Sequence, residues 1–414
     1  MPKPHIISGI DIGNSHIKVV MAAISRESIK PEVVGAGSSP STGLRKGMVV
    51  DMEETIENIR STIQQAEAMS GMPLKSAYLS VSGLHIKSQF SRGVIAVSRA
   101  DNEISQNDID RVLQAASIVS MPANREIIHI VPRGYVIDGT EYVKNPLGMK
   151  GVRLEAEVLI IDGLAPYIRN IVKAVEENGI EVAGLVYAPI AASLASLDKA
   201  QKEYGVMNLD FGGATSTLTI FEETDLLHSA ILPIGSRHIT NDLAIALRTS
   251  LENAERIKLE HAKTSDEEDL RRRDMLNLAE LTGESDSVLS RKQLTRVVDA
   301  RVEELLDMVS AELKKVSRNG MLPAGVVLSG GGANLPGFAG FVKEHLRLPV
   351  KIAKPIHVDG IVDVVTDPSY AVSIGLVLWG TEQESSSIRS SQGMLSAHGG
   401  WWVKTMHWLK NFLP

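Results

Sequence analysis

The chain of 414 residues contains no cysteine. That excludes a disulfide framework, a thiol nucleophile, and any zinc or iron–sulfur site that needs thiolate ligands. It fits a reducing compartment. No run of ~18 apolar residues occurs, so no segment is long enough to form a bilayer-spanning helix. The opening MPKPHIISGIDIGNS has no apolar signal-peptide core and runs straight into a strand pattern. Basic residues are not in excess: 43 Lys+Arg against 50 Asp+Glu give a net charge of −7, which argues against a nucleic-acid partner. The P-loop sequence GxxxxGK[ST] and the Rossmann GxGxxG spacing are both missing. Aromatic residues make up only 4%, yet three of the four tryptophans, Trp401, Trp402 and Trp408, fall in the last 14 residues.

What is present is a soluble globular composition, 43% apolar and 22% charged, long enough for roughly two or three domain-sized units. Residues 6–12, 17–24, 31–37 and 77–81 read as short strands rich in β-branched side chains. Between them, Asp51 with Glu54 is a capping signal. Met52, Ile56, Ile59, Ile63 and Ala66 then recur at helical spacing. Residues 84–162 change texture: strands at 94–97, 126–131 and 134–137 surround one helix opened by Ser105 and Asp108, a small α+β insert. Strand–helix alternation then resumes, with helices predicted over 166–177 and 191–200. A second unit begins at Gly205, with strands at 206–211, 216–221 and 228–234. A charge-rich helical region covers about 238–318, in which DEEDLRRRD (266–274) reads as a solvated face. A strand at 324–328 and helices at 337–346 and 369–379 complete the body. Residues 381–399, rich in serine and poor in apolar side chains, read as a flexible linker.

An internal repeat carries the chemistry. Ile10-Asp11-Ile12-Gly13-Asn14-Ser15 leads into a second apolar run containing Lys18, and Leu209-Asp210-Phe211-Gly212-Gly213-Ala214-Thr215 does the same 199 residues later (210 − 11). Each is an apolar strand ending in Asp-x-Gly, a turn of small residues, and another apolar strand. Glycine lets the turn's backbone N–H groups approach an anion closely. The aspartates Asp11 and Asp210 suit a Mg²⁺ ion held through water. Two such hairpins face to face would clamp a polyphosphate. A third element, the strand ending in Ser329-Gly330-Gly331-Gly332-Ala333, offers bare backbone for a flat base or ribose.

With these three elements the chain resembles the actin/Hsp70/sugar-kinase superfamily of ATP-binding proteins. Two connecting segments, Ala188-Pro189-Ile190-Ala191-Ala192 and Tyr370-Ala371-Val372-Ser373-Ile374-Gly375, match as well. The resemblance implies an α/β, two-lobed actin-like fold, a duplicated ribonuclease-H-like unit, with ATP and Mg²⁺ in the cleft. By the same match, the stretch from Gly235 through Asn241 to Asp242, together with Glu255 and Lys258, would lie near ribose and adenine. Hsp70-like and MreB-like members usually carry an acidic residue just before the proline of the first connecting segment, near the attacking water. Here that position is Ala188, so the expectation is ATP binding with weak ATPase activity, Asp210 being the residue placed to polarise a water.

The insert, the preceding Ser80-Val81-Ser82-Gly83 and the segment 43–49 are similar to the FtsA family of bacterial cell-division proteins and, for the insert, to the related pilus-assembly protein PilM. The tail favours the former. On a helical wheel Trp402, Met406, Leu409 and Leu413 form one row, flanked by Trp401, Trp408 and Phe412, with Lys404 and Lys410 on the opposite arc. Thirteen residues make a helix of ~20 Å, too short to cross a ~30 Å hydrocarbon core. A basic, tryptophan-rich amphipathic helix instead lies in the headgroup plane of an anionic membrane surface. The implied division is subdomain 1A (1–83, 163–200, 369–381), the insert 1C (84–162), 2A (201–239, 321–368), 2B (240–320), a linker (382–399) and a membrane-targeting helix (400–414). The FtsA resemblance implies self-association into filaments and docking of the tail of the tubulin-like division protein FtsZ on 2B, where Arg291, Lys292, Arg296 and Arg301 are candidate contacts. It further implies recruitment of later division proteins by 1C, and a peripheral place on the cytoplasmic face of the inner membrane at the septum. The alternatives are a PilM-like pilus scaffold and a small-molecule kinase. The former would not need the tail; the latter would need a substrate carboxylate base, and no sequence feature singles one out.

Overall fold

Each half of the chain begins with an antiparallel three-stranded meander, and in each half the first turn is a short run of small residues, Gly13–Ser15 and Gly212–Thr215. A computed structural model describes residues 5–25, 30–118, 122–265, 275–277, 288–318 and 320–391. In the first half His5–Ile12 pairs with His16–Ile24, and that strand with Glu32–Pro40. On the other side of the first strand, Ser76–Val81 and then Glu181–Tyr187 add in parallel. In the second half Val206–Phe211 pairs with Ser216–Glu222, and that strand with Asp225–Leu232. Gly325–Ser329 and Val350–Ile352 then add in parallel. The spatial order, third–second–first–fourth–fifth, is the same in both sheets, and the first sheet gains a short extra strand, Asp359–Gly360, beside its third. The sequence repeat is therefore a structural duplication.

Helices cover the sheets through their apolar faces. Met52–Ser70 buries Ile59, Ile63 and Ala66 against the first sheet, and Asp51 caps it by accepting from the Glu54 N–H at 3.0 Å. Ala188–Ser196, wholly buried, lies between the halves, with its Ser193 hydroxyl 2.7 Å from Thr219 in the second sheet. In the second half Arg291–Lys315 buries Leu294, Val298, Val302, Leu305, Leu306, Val309 and Leu313. The insert has its own core. A four-stranded sheet (Lys87–Ala96, Arg153–Leu164, Arg125–Ile137, Glu141–Val143) packs Leu154, Ala156, Val158 and Ile160 against Ile109, Val112, Leu113 and Ala116 of the helix Gln106–Ser117. That helix opens with a capping box formed by Ser105 and Asp108.

Three expectations are revised. The helix placed at 191–200 is two, Ala188–Ser196 and Lys199–Tyr204, because Asp198 starts a new capping box with Gln201. Among the described residues, the helical region 238–318 holds the helices Ser236–Leu247, Leu251–His261 and Arg291–Lys315, with Met275–Asn277 paired antiparallel to Val288–Ser290. The helix placed at 369–379 runs from Ala371 to Ser391, taking in residues 381–391 of the stretch read as a linker. From Thr381 to Gln392 no glycine or proline interrupts the chain, and extending an established helix by polar residues costs little. The DEEDLRRRD stretch and the terminal segment 392–414, including every position from Trp401 to Leu413 expected to meet a membrane, lie outside the described residues. No described helix is long and apolar enough to cross a membrane.

Candidate functional site: a cleft between two paired turns

The sheets bring the two Asp-x-Gly turns together. Asp11 faces Lys18 across its hairpin, and Asp210 faces Thr217 at the equivalent register. The turn tips meet so closely that a Cβ placed on Gly213 would lie 2.7 Å from Ser15 Cβ, so glycine is required there. The cleft between the lobes holds a cavity of about 470 Å³, within the usual size of small-molecule sites.

Hydrogen bonds fix the aspartates. The Ser80 hydroxyl donates to Asp11 Oδ1 at 2.7 Å and accepts from Ile12 N–H. The Ser329 hydroxyl, at the end of the strand before the glycine run, donates to Asp210 Oδ2 at 3.0 Å. Burial raises the Asp11 carboxyl above its ordinary value against the pull of Ser80 and Lys18. Burial and then the neighbouring Asp11 charge push Asp210 up to about 6. Lys18 lies among Asp11, Asp367 and Asp210; its burial lowers it while those carboxylates oppose the shift. Its Nζ donates to Ser369 O at 2.6 Å and sits 5.0 Å from the Tyr370 ring centroid. Gly330, at φ 82°, turns the backbone over Phe211 O and Asp210.

Of the residues singled out from the sequence, Asp11, Gly13, Asn14, Ser15 and Lys18 line the cavity on one side, and Asp210, Gly212, Gly213 and Thr215 on the other. Gly330, Gly331 and Gly332 form its floor, and Glu255 with Lys258 borders it. Lys258 donates to Glu255 at 2.7 Å and to Thr240 at 3.0 Å. Four positions are not on the lining. Ala333 is buried behind the glycine run and Asn241 faces solvent. Ala214 and Gly235 pack against one another's backbone beside the second turn. Ala188, in place of an acid, lines the cavity. Outside it, Arg301 is held by two hydrogen bonds to Asp242, at 2.7 and 2.9 Å, and by Glu304, so it is not a freely offered contact.

Sequence reasoning did not single out Asp367 and Ser369 around Lys18 or Leu259, Leu335 and Pro336 on the apolar border, and it carried Ile239 and Arg237 only within the stretch 235–242, with no role of their own. An apolar rim scattered over 239, 259, 335 and 336 leaves no periodic signal. Ser80 stood in a quoted motif, but only the fold shows that it holds Asp11.

Comparison with known proteins decides the family. The chain is 36% identical to the cell division protein FtsA of Pseudomonas aeruginosa over 93% of its own length and 92% of the relative's. This chain belongs to the FtsA family. The FtsA of Bacillus subtilis is also 36% identical, over 89% of this chain and 82% of that one, and the FtsA of Escherichia coli K12 is 30% identical over 98% and 97%. Family models match in two places: cell division protein FtsA over residues 207–375, and the SHS2 domain inserted in FtsA over 83–162. Among solved structures, the PilM–PilN type IV pilus biogenesis complex matches with a TM-score of 0.65 at 16% identity, over 90% of this chain and 98% of that chain. MreB5 of Spiroplasma citri bound to ADP matches at 0.52 and 13%, over 94% and 98%; bound to AMPPNP it matches at 0.53 and 13%, over 94% and 99%. The fold is thus actin-like and two-lobed, with the FtsA-type insert in the first lobe, and the chain is a member of a cell-division family.

Proposed function

We propose that this chain binds Mg·ATP between its two lobes, self-associates, and tethers FtsZ to the cytoplasmic face of the inner membrane at the division septum, recruiting later division proteins through its insert. The observation that carries the reading is the pair of small-residue turns, Gly13–Ser15 and Gly212–Thr215, brought tip to tip over a cavity of about 470 Å³ with one aspartate beneath each. Backbone N–H groups of the turns would hold the phosphates, with Lys18 beside them. The glycine floor at 330–332 and the apolar rim would take the base and ribose, with Glu255 and Lys258 at the border. Two neighbouring carboxylates, with Asp210 held up by burial and by Asp11, make a site whose charge a divalent cation balances. Among the described residues no group of three or more His, Asp or Glu converges to hold a metal ion. Oxygen-only ligands with few direct bonds suit hydrated Mg²⁺, which neutralises phosphate charge when bound. Ala188 supplies no base to activate a water, so turnover is weak, with Asp210 the residue nearest that task.

Membrane attachment rests on the terminal segment, where Trp401, Trp402, Trp408, Met406, Leu409, Phe412 and Leu413 share one arc and Lys404 and Lys410 the other. A single half-buried helix contributes a few kcal/mol and binds reversibly; many on one filament bind by avidity. The reading assigns FtsZ docking to residues 240–320.

Two measurements test the proposal. Asp210→Ala and Gly331→Asp should abolish retention of ATP; unchanged affinity in both would show that the cleft is misassigned. Full-length chain should pellet with anionic liposomes, and chains ending at residue 399 or carrying Trp408→Glu should not. Equal pelleting of all three removes the anchoring half of the reading.

A further inference from the structure

Both phosphate-type turns are held from behind by one residue of the second lobe. Arg237, in the first turn of Ser236–Leu247, donates its backbone N–H to Gly213 O at 2.8 Å. Its side chain crosses the mouth of the cleft and donates Nη2 to Asn14 O, in the first lobe's turn, at 3.1 Å. Beside it, Ser236 N–H donates to Gly212 O at 2.8 Å. Asn14 is steadied on its other side, where its Oδ1 accepts from Gly47 N–H at 2.8 Å. Among the described residues, no carboxylate lies within ion-pair distance of the Arg237 guanidinium.

The peptide unit explains what these contacts do. In a trans peptide the carbonyl and the next residue's N–H point in opposite directions. Holding the carbonyls of Asn14, Gly212 and Gly213 from behind therefore fixes which way the N–H groups of Ser15, Gly213 and Ala214 face. Gly235 reinforces the second turn: a Cβ there would come within 2.5–2.6 Å of Gly213 C, Gly213 O and Ala214 N, so the two backbones lie in contact. Arg237 is the residue that couples the two turns, because its main chain holds one and its side chain the other.

We propose that Arg237 is an interlobe clasp, a positioning residue that orients both turns toward the phosphates of a bound nucleotide and resists separation of the lobes. This rests on the nucleotide reading of the cleft. It predicts a loss that depends on the phosphates, since both of the clasp's hydrogen bonds go to the turns, while Glu255 at the border feels its charge without a direct bond.

The test uses full-length protein, with Arg237→Gln and Arg237→Lys as variants. Mg·ATP and adenosine are each titrated by calorimetry, and amide hydrogen exchange of the turn peptides 12–18 and 211–217 is measured without nucleotide. Arg237→Gln should weaken Mg·ATP about tenfold, the scale of one charge-assisted hydrogen bond, and leave adenosine unchanged. Arg237→Lys should recover part of the loss, because an ammonium still donates to Asn14 O. Exchange in both turn peptides should rise in Arg237→Gln. Equal weakening of ATP and adenosine, no change in either, or unaltered turn exchange would overturn the clasp. A wild-type chain that takes neither ligand refutes the nucleotide reading instead, and the exchange measurement still decides whether Arg237 couples the turns.

Discussion

His129 is 2% exposed in a strand at the root of the insert. Its Nε2 accepts the Tyr187 N–H at 3.0 Å, and its ring lies 5.0 Å from that of Trp379. Burial holds it down to about 3, so the ring is neutral. Its folded pKa is below the unfolded value near 6.5, so the unfolded chain takes the proton first. The stabilising neutrality is complete above about pH 6.5 and is lost as pH falls from there toward 3. On passing from about pH 7.5 to 5 the loss is roughly 2 kcal/mol. His85, which burial and then Arg125 push down to about 4, adds in the same direction. Urea unfolding at the two pH values should show the drop, and His129→Gln, which keeps an acceptor for Tyr187, should flatten it. A variant with the same slope as wild type would mean that other groups dominate. None of this was legible in EIIHIV, where a histidine between isoleucines reads as one more alternating position. The turn aspartates were legible because their spacing repeats. Arg237 was not, because its partner Asn14 is 223 residues away.

Among the elements, the last helix decides how the first lobe closes. Gly375 lets it press on Ala188–Ser196: a Cβ at 375 would stand 1.8 Å from Ala191 O, so the two backbones are in contact. Gly375→Ala must push the helices apart and should cost about 3 kcal/mol or more, read as a lowered midpoint in thermal or urea unfolding. In the insert, Asp108 is fully buried yet carries the capping box. Burial opposes its charge, but hydrogen bonds from the side chains and N–H groups of Ser105 and Ser98 draw it well below the ordinary carboxylate range. Asp108→Ala should therefore destabilise the insert by about 1–3 kcal/mol, seen as faster amide exchange across 105–117 with the rest of the chain unchanged. Both caps were readable from sequence, since Asp51 with Glu54 and Ser105 with Asp108 are local signals. The end of the last helix was not, because a serine-rich composition says how little a segment can bury and nothing about how cheaply a packed helix extends through it.

For the molecule as a whole, one turn joins three parts. Glu223 and Thr224, at φ 51° and 69°, form the tip between two second-lobe strands. Their N–H groups donate to Glu203 O and Lys202 O in the helix where the chain crosses between lobes. Lys144 of the insert donates to Glu223 O and lies 3.5 Å from Asp225, while Arg318, just past the long helix, grips Glu222. Lys144→Glu should speed exchange at 141–145 and 222–226 while moving global stability by less than about 1 kcal/mol, because the pair is partly solvated. Equal exchange would show that the insert is positioned by its root alone. The duplication and the insert could be read from strand alternation and a change of texture. This three-way junction could not, since its members are scattered from 144 to 318.

The length of the last helix sets the geometry of any attachment at its end. From Trp379, packed in the first-lobe core, to Ser391 it rises ~18 Å at 1.5 Å per residue, and residues 392–399 can add no more than ~28 Å. On the proposed attachment that reach is an upper bound: a body whose tryptophan segment sits on a bilayer can drift from it no farther than the leash allows, which holds every copy within one shallow layer.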